Sequence, residues 1–165
     1  MAVKGIYQYE WPRPMVTTDA LVFGFTGHGI NMLLVKRGNP PFQGRWAVPG
    51  GFLEMDEELA VSAARELYEE TGLNGIELKE LGTFGTPGRD SRGRVITVAF
   101  WGCCRFDEYF IQTRAGDDAA MAKWFDINEL DEIDFAFDHR KIVERGISRL
   151  KESTEYAEFV KRTRK

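Results

Sequence analysis

The chain has only two cysteines in 165 residues, and they are adjacent, so a covalent framework is excluded. On a strand, Cys103 and Cys104 would point to opposite faces, so neither a disulfide nor a shared metal site follows from them. Two buried thiols in a reducing compartment is the simpler reading. Long hydrophobic runs are also missing: no stretch approaches the roughly 18 apolar residues of a membrane span. The segment Met1 to Pro14 lacks the basic-then-apolar layout of a secretory signal. The expected address is cytoplasmic, with no membrane partner. Positive charge is scarce. Lys and Arg number 22 against 26 Asp and Glu, for a net charge of −4. The one dense basic run is the tail Lys161-Arg162-Thr163-Arg164-Lys165, so nucleic acid is not an expected partner. Repeats, linkers and low-complexity segments are absent as well. Residues 1–165 therefore read as a single domain with room for one core.

What is present is a run of short apolar segments around one strong helix. Leu21 to Phe25 and Met32 to Val35 read as strands joined across Gly27-His28-Gly29. Arg37 to Phe52 reads as a loop, broken by a short strand near Trp46-Ala47-Val48. Glu57 to Thr71 has no Gly or Pro and repeats Ala and Leu at helical spacing. Asp56 is the expected N-cap, Glu57 and Glu58 suit the positive end of the dipole, and Gly72 is the expected stop. Strands are predicted over Ile76 to Phe84, Val95 to Trp101 and Ala119 to Phe125. A second helix is predicted over Phe137 to Leu150, with a helical reading for the tail beyond it. The fold class is α+β, a mixed sheet layered with helices.

The chemistry concentrates on Arg65-Glu66-Leu67-Tyr68-Glu69-Glu70-Thr71-Gly72-Leu73. On a helix Glu66 neighbours both Glu69 and Glu70, so three carboxylates share one face. Arg65 is the one cation within reach of Glu69. Ser62 and Ala63, one turn earlier, leave space above the acids. Clustered acid with little basic compensation and an open approach suits a hard divalent cation. A solvated acidic face is the competing reading, since glutamate favours helices.

The surrounding spacing decides between them. Gly51 is followed after five residues by Glu57, and after seven more by Arg65-Glu66-Leu67, then Glu69-Glu70, then Gly72-Leu73. This closely resembles the signature of the Nudix hydrolases, G-x5-E-x7-R-E-U-x-E-E-x-G-U with U aliphatic, at every specified position. The resemblance implies an α/β/α sandwich with one catalytic helix and a C-terminal helix. It implies Mg²⁺, or Mn²⁺ in its place, held by Glu66, Glu69 and Glu70 with the backbone carbonyl of Gly50. Arg65 would orient a glutamate by a charged hydrogen bond, with Glu57 its candidate partner. Gly50 and Gly51 would let the backbone turn and approach a charged ligand closely, with Pro49 stiffening the turn. The general base is a signature glutamate or an acid from a later loop. Asp118 is the candidate from that loop, with Asp117 next, although an Asx turn explains the pair equally well.

Outside the signature, the order of short motifs resembles the ADP-ribose pyrophosphatase branch linked to NAD turnover. These motifs include Arg13 to Asp19, Leu34 to Gly38, Pro41 to Trp46, Gly88 to Gly93, Gly116 to Ala119, Lys123 to Phe125 and Phe137-Asp138-His139. The implied reaction cleaves the pyrophosphate of ADP-ribose to AMP and ribose 5-phosphate. Arg37, Arg45 and Arg89 are candidate phosphate or ribose contacts, although each alone also suits a surface position or a structural ion pair. Phe42 and Trp46 are candidates to border the base, Trp46 being equally suited to the core. His139 reads as a brace for the last helix. Residues 1–15 form an N-terminal extension rich in aromatics, and relatives imply a homodimer built there. Two alternatives stand beside this reading. One is a Nudix enzyme of another nucleotide substrate. The other is a non-catalytic ADP-ribose sensor, against which the intact signature and the 15 residues after Leu150 both argue.

Overall fold

The structure is a computed structural model that describes residues 8–27, 29–105 and 119–163; side chains are described for all of these except 119 and 120. Its strands are β1 (Met15–Phe25), β2 (Ile30–Arg37), β3 (Trp46–Ala47), β4 (Gly50–Phe52), β5 (Lys79–Phe84), β6 (Val95–Arg105) and β7 (Ala119–Asp126). The helices are α1 (Leu59–Thr71), α2 (His139–Lys151) and α3 (Thr154–Thr163), with a 3₁₀ turn over Ile127–Glu132. Among the described residues no helix is long and apolar enough to cross a membrane.

The sheet is mixed, running β3-β2-β1-β6-β5 with β4 also paired to β1 and β7 to β2. β1 lies parallel to β6 along its whole length, Met15 opposite Val95 through Phe25 opposite Arg105. Its other edge is divided. Thr17, Thr18 and Asp19 pair with Phe52, Gly51 and Gly50 of β4, and Phe23 to Phe25 pair with Ile30 to Met32 of β2. This division brings the glycine pair beside Asp19.

Strand alternation fills the two faces. Leu21 and Phe23 join Met32, Leu34, Trp101, Ile142 and Leu150 in one core, on the α2 side. Ala20 and Val22 join Leu33, Ala63, Leu67, Phe100 and Trp124 in a second core, on the α1 side. Each large aliphatic so buried contributes about 1.5–3 kcal/mol relative to exposure. The layering is the expected α+β sandwich. Cys103 packs with the first core and Cys104 lies in the second, so the adjacent thiols do face apart.

Several expectations are corrected. α1 starts at Leu59 rather than Glu57. Its N-cap is Glu58, in extended backbone without a side-chain cap, and Asp56 does not cap it. The reason is the pairing of Glu57 with Arg65, eight residues on. Two helical positions eight apart are separated by about 12 Å along the axis, too far for that contact. The helix does end on Gly72, at φ 76°. β4 replaces the expected loop. Ser62 and Ala63 are fully buried rather than leaving open space, with Thr18 Oγ1 donating to Ser62 Oγ at 3.0 Å. Trp46 belongs with the core, edge-on to Phe125 at 4.7 Å. α2 begins at His139, two residues after the expected start, and the tail forms α3.

Candidate active site

The end of α1 and the β3–β4 connection build one acidic pocket floor. Glu70 Oε2 accepts the Gly50 N–H at 2.9 Å, fastening the last turn of the helix to the glycine pair. Glu70 keeps some exposed surface, but its carboxylate end is shielded. That desolvation pushes it up to about 8; the Gly50 N–H opposes the shift, while the charges of Glu66 and Asp19 add to it and Arg37 opposes it. Burial also raises Glu66, against the pull of Arg65. A Cβ on Gly51 would lie 2.4 Å from the Glu66 carboxylate, so only glycine lets the two approach.

Arg65 is the hub of the acids, and here the expected lack of basic compensation is corrected. Its Nε and Nη2 form a fork on Glu57 at 2.7 and 2.9 Å, and its Nη1 reaches Glu66 Oε1 at 2.7 Å and Glu69 Oε2 at 3.1 Å. Nη2 also donates to the Phe52 carbonyl at 3.2 Å. The fork holds Glu57 well down, at about 2, and the carboxylates raise Arg65 in turn. Arg65 takes one oxygen each of Glu66 and Glu69. Among the described residues no three acidic, histidine or cysteine side chains already converge on a single point where an ion would sit. The donor chemistry nevertheless fits a hard divalent cation. It is all oxygen, and Glu70 is desolvated beside Glu66 and Asp19, with the Gly50 N–H hydrogen-bonded to it.

Beneath the glycine pair runs a buried polar chain that sequence reasoning did not assign. Thr97 Oγ1 donates to Asp19 Oδ2 at 2.6 Å. Asp19 Oδ1 lies 3.9 Å from His139 Nε2, and His139 Nδ1 accepts the Val48 N–H at 3.0 Å. Burial lowers the histidine, against Asp19, so the ring is neutral and carries its proton on Nε2. The one signal in the sequence is a lone carboxylate inside the otherwise uncharged strand Met15 to Phe25.

The predicted arginines separate. Arg37 donates to the Pro41 and Asn39 carbonyls and lies over the Phe137 ring at 4.8 Å, near enough to Glu70 to oppose its shift. Arg89 is buried with Asp138: its Nε hydrogen-bonds both carboxylate oxygens at 3.0 and 3.1 Å, and Nη2 lies 2.7 Å from Oδ1 without hydrogen-bond alignment. Arg45 is paired with Asp134 at 3.1 Å, both well exposed. Arg92, not singled out from the sequence, lies over Phe52 at 4.9 Å and Phe137 at 5.3 Å and is tied to Asp90. Phe42 and Phe137 meet edge to face at 4.9 Å, at φ 61° and 52°. Left-handed backbone at a bulky residue costs about 1–3 kcal/mol and marks functional sites. Asp117 and Asp118 lie outside the described residues, as does His28.

The comparisons agree with this geometry. The NUDIX domain matches residues 13–146. An ADP-ribose pyrophosphatase from Methanocaldococcus jannaschii is 43% identical over 131 residues, 79% of this chain and 72% of that protein. The ADPR responsive transcriptional repressor NtrR of Acinetobacter baylyi is 32% identical over 149 residues, 89% of this chain; the chain spans 58% of the repressor's length. Among solved structures, the NUDIX domain of Shewanella oneidensis NrtR complexed with ADP ribose superposes with a TM-score of 0.78 at 29% identity, over 85% of this chain and 90% of that one.

Proposed function

The chain belongs to the NUDIX domain family, and on that premise we propose that it hydrolyses the pyrophosphate bond of ADP-ribose to AMP and ribose 5-phosphate with Mg²⁺. The observation that carries the reading is the placement of Glu70 and Glu66 against Gly50 and Gly51, with desolvated carboxylates that a divalent cation would balance. Glu66, Glu69, Glu70 and the Gly50 carbonyl would hold Mg²⁺, or Mn²⁺ in its place. When bound, the ion neutralises the diphosphate oxygens and acidifies the attacking water.

The chain's own residues supply the rest. The Glu57–Arg65 fork fixes the guanidinium, and through it the height of Glu66 and Glu69 on α1. Arg37, above Phe137 and electrostatically coupled to Glu70, is the cation placed to meet a diphosphate oxygen. Arg89 and Arg45 already face Asp138 and Asp134, so a phosphate would compete with those carboxylates for them. A general base takes the proton of the water as its oxygen bonds to one phosphorus and the bridging P–O bond breaks, the other phosphate leaving. Asp118 or a signature glutamate is assigned that role. The 43% identical pyrophosphatase supports ADP-ribose over triphosphates or nucleotide sugars. A substrate panel scored for Mg²⁺-dependent AMP release tests this; faster turnover of another nucleotide would overturn the specificity.

A second reading, an ADP-ribose sensor without turnover, is favoured by the repressor relative and by the hold of Arg65 on two of the three acids. Binding of ADP-ribose with no AMP release over hours would establish it. The exposed Tyr9 and Trp11 support a homodimer formed through the N-terminal segment. Light scattering that gives a monomer mass at micromolar protein would refute that assembly.

A further inference from the structure

Asp19 is a buried carboxylate inside β1, and none of the proposed ligand or base roles falls to it. It stands opposite Gly50 in the β1–β4 pairing. Alternation along β4 sets the two glycines toward opposite faces of the sheet. A Cβ at Gly50 would lie 2.5 Å from Asp19 Oδ1, as one at Gly51 would lie 2.4 Å from the Glu66 carboxylate. The Gly50 peptide is thus held twice, by Glu70 on its N–H and by Asp19 against its Cα. Arg65 holds neither of these two carboxylates: its fork goes to Glu57, and its Nη1 to Glu66 and Glu69.

Packing alone does not account for a carboxylate here. β1 and β6 already pair along their whole length, so the bond from Thr97 is not needed to join them, and a neutral amide would accept it as well. A buried carboxylate is costly unless cations or several donors compensate it. Among the described residues its hydrogen bond comes from Thr97, and no lysine or arginine is paired with it. The neutral His139 ring, at 3.9 Å, is beyond hydrogen-bond reach. The balancing charge has a place nearby, because Glu70 feels Asp19 across Gly50, and a cation seated on Glu70 would feel it too. We propose that Asp19 is a positioning residue for the divalent cation, acting through Gly50. Its carboxylate fixes the glycine whose carbonyl is a proposed ligand, and it adds negative charge behind that ligand. The assignment rests on the metal site of the hydrolase reading above.

The test is Asp19→Asn, which keeps the size and an acceptor for Thr97 while removing the charge. Mn²⁺ binding, followed by the electron paramagnetic resonance of the free ion, reads the site without turnover. The variant should bind Mn²⁺ about 10- to 100-fold more weakly, as for other groups that stand behind metal ligands. Its metal-free melting temperature should equal or exceed the parent's, because an uncompensated buried charge is gone. A packing role gives the reverse pattern, with affinity retained and stability lowered. Affinity within about threefold of the parent's, or a lower melting temperature, overturns the proposal. Should the variant fail to fold, Thr97→Val decides, because it releases the carboxylate from its hydroxyl without neutralising it. Mn²⁺ affinity weakened by more than about threefold supports the positioning role, and any smaller change overturns it. A parent protein that takes up no Mn²⁺ would refute the metal site itself, and the proposal with it. A parent that binds Mn²⁺ no better than Asp19→Asn keeps its metal site and loses only the role of Asp19.

Discussion

His139 Nδ1 accepts the backbone N–H of Val48 at 3.0 Å across 91 residues of sequence, tying the first turn of α2 to the chain just before Pro49-Gly50-Gly51. The histidine thus braces the glycine pair that carries Glu70, a wider role than steadying its own helix. His139→Leu strands a buried donor and should cost about 1–3 kcal/mol, read as a lower urea midpoint at unchanged m. His139→Asn, which retains an acceptor, should recover part of that loss. Equal stability of the leucine variant and the parent would remove the brace.

Arg65→Lys keeps the charge and loses the fork on Glu57. We expect about 1–2 kcal/mol of destabilisation, and activity down about 10- to 100-fold, as for other groups that orient metal ligands. Steady-state kinetics across a Mg²⁺ titration checks it: the required Mg²⁺ concentration should rise.

Glu70→Gln removes a carboxylate that is costly to desolvate while leaving an acceptor for the Gly50 N–H. Metal-dependent AMP release should fall by about a hundredfold or more. The metal-free melting temperature near pH 8 should be equal to or above the parent's. Retention of most activity would contradict the ligand assignment.

The shift at Glu70 also sets a pH dependence. Its folded value, about 8, lies above the unfolded 4.5, so the folded state binds more protons between those values. Metal-free protein should therefore lose stability from this group as pH rises from 4.5 through 8. Mg²⁺, by balancing the ionised form, should raise the melting temperature more at pH 8 than at pH 6. Glu57 acts oppositely: held at about 2, it contributes stability above pH 4.5 that is lost as pH falls toward 2. Thermal melts with EDTA and with Mg²⁺ separate the two windows, and a Mg²⁺ effect independent of pH would reject the first.

The acidic helix was legible in the sequence because its chemistry fixes spacing: carboxylates three and four apart must share a face. The strands were legible as short apolar runs, but the division into two cores was not. The sequence reads as having room for one, and because consecutive residues of β1 are apolar on both faces, the run alone does not separate the two sides. β4 was not legible either, since Gly50-Gly51-Phe52 has no apolar alternation and exists only because β1 offers it an edge. The reach of Arg65 to its neighbour Glu66 was also hidden, because adjacent helical residues diverge and only a long guanidinium spans the difference. The left-handed turns at Phe42 and Phe137 left no mark at all, phenylalanine being an ordinary residue elsewhere. Asp19 did leave one, a charge within an apolar strand, and that pattern points to a buried partner.

The divided edge of β1 has a consequence for how faithfully the chain must thread. Sliding β1 by a single position would turn Thr18, Ala20 and Val22 toward α2 and deliver Asp19, Leu21 and Phe23 to α1. The acid would then leave Thr97 and the neighbourhood of His139, and the glycine pair would face the wrong neighbours. An offset of this kind would inactivate the protein even where the apolar residues found new packing, so alignment in the sheet and competence at the acids are gained or lost together.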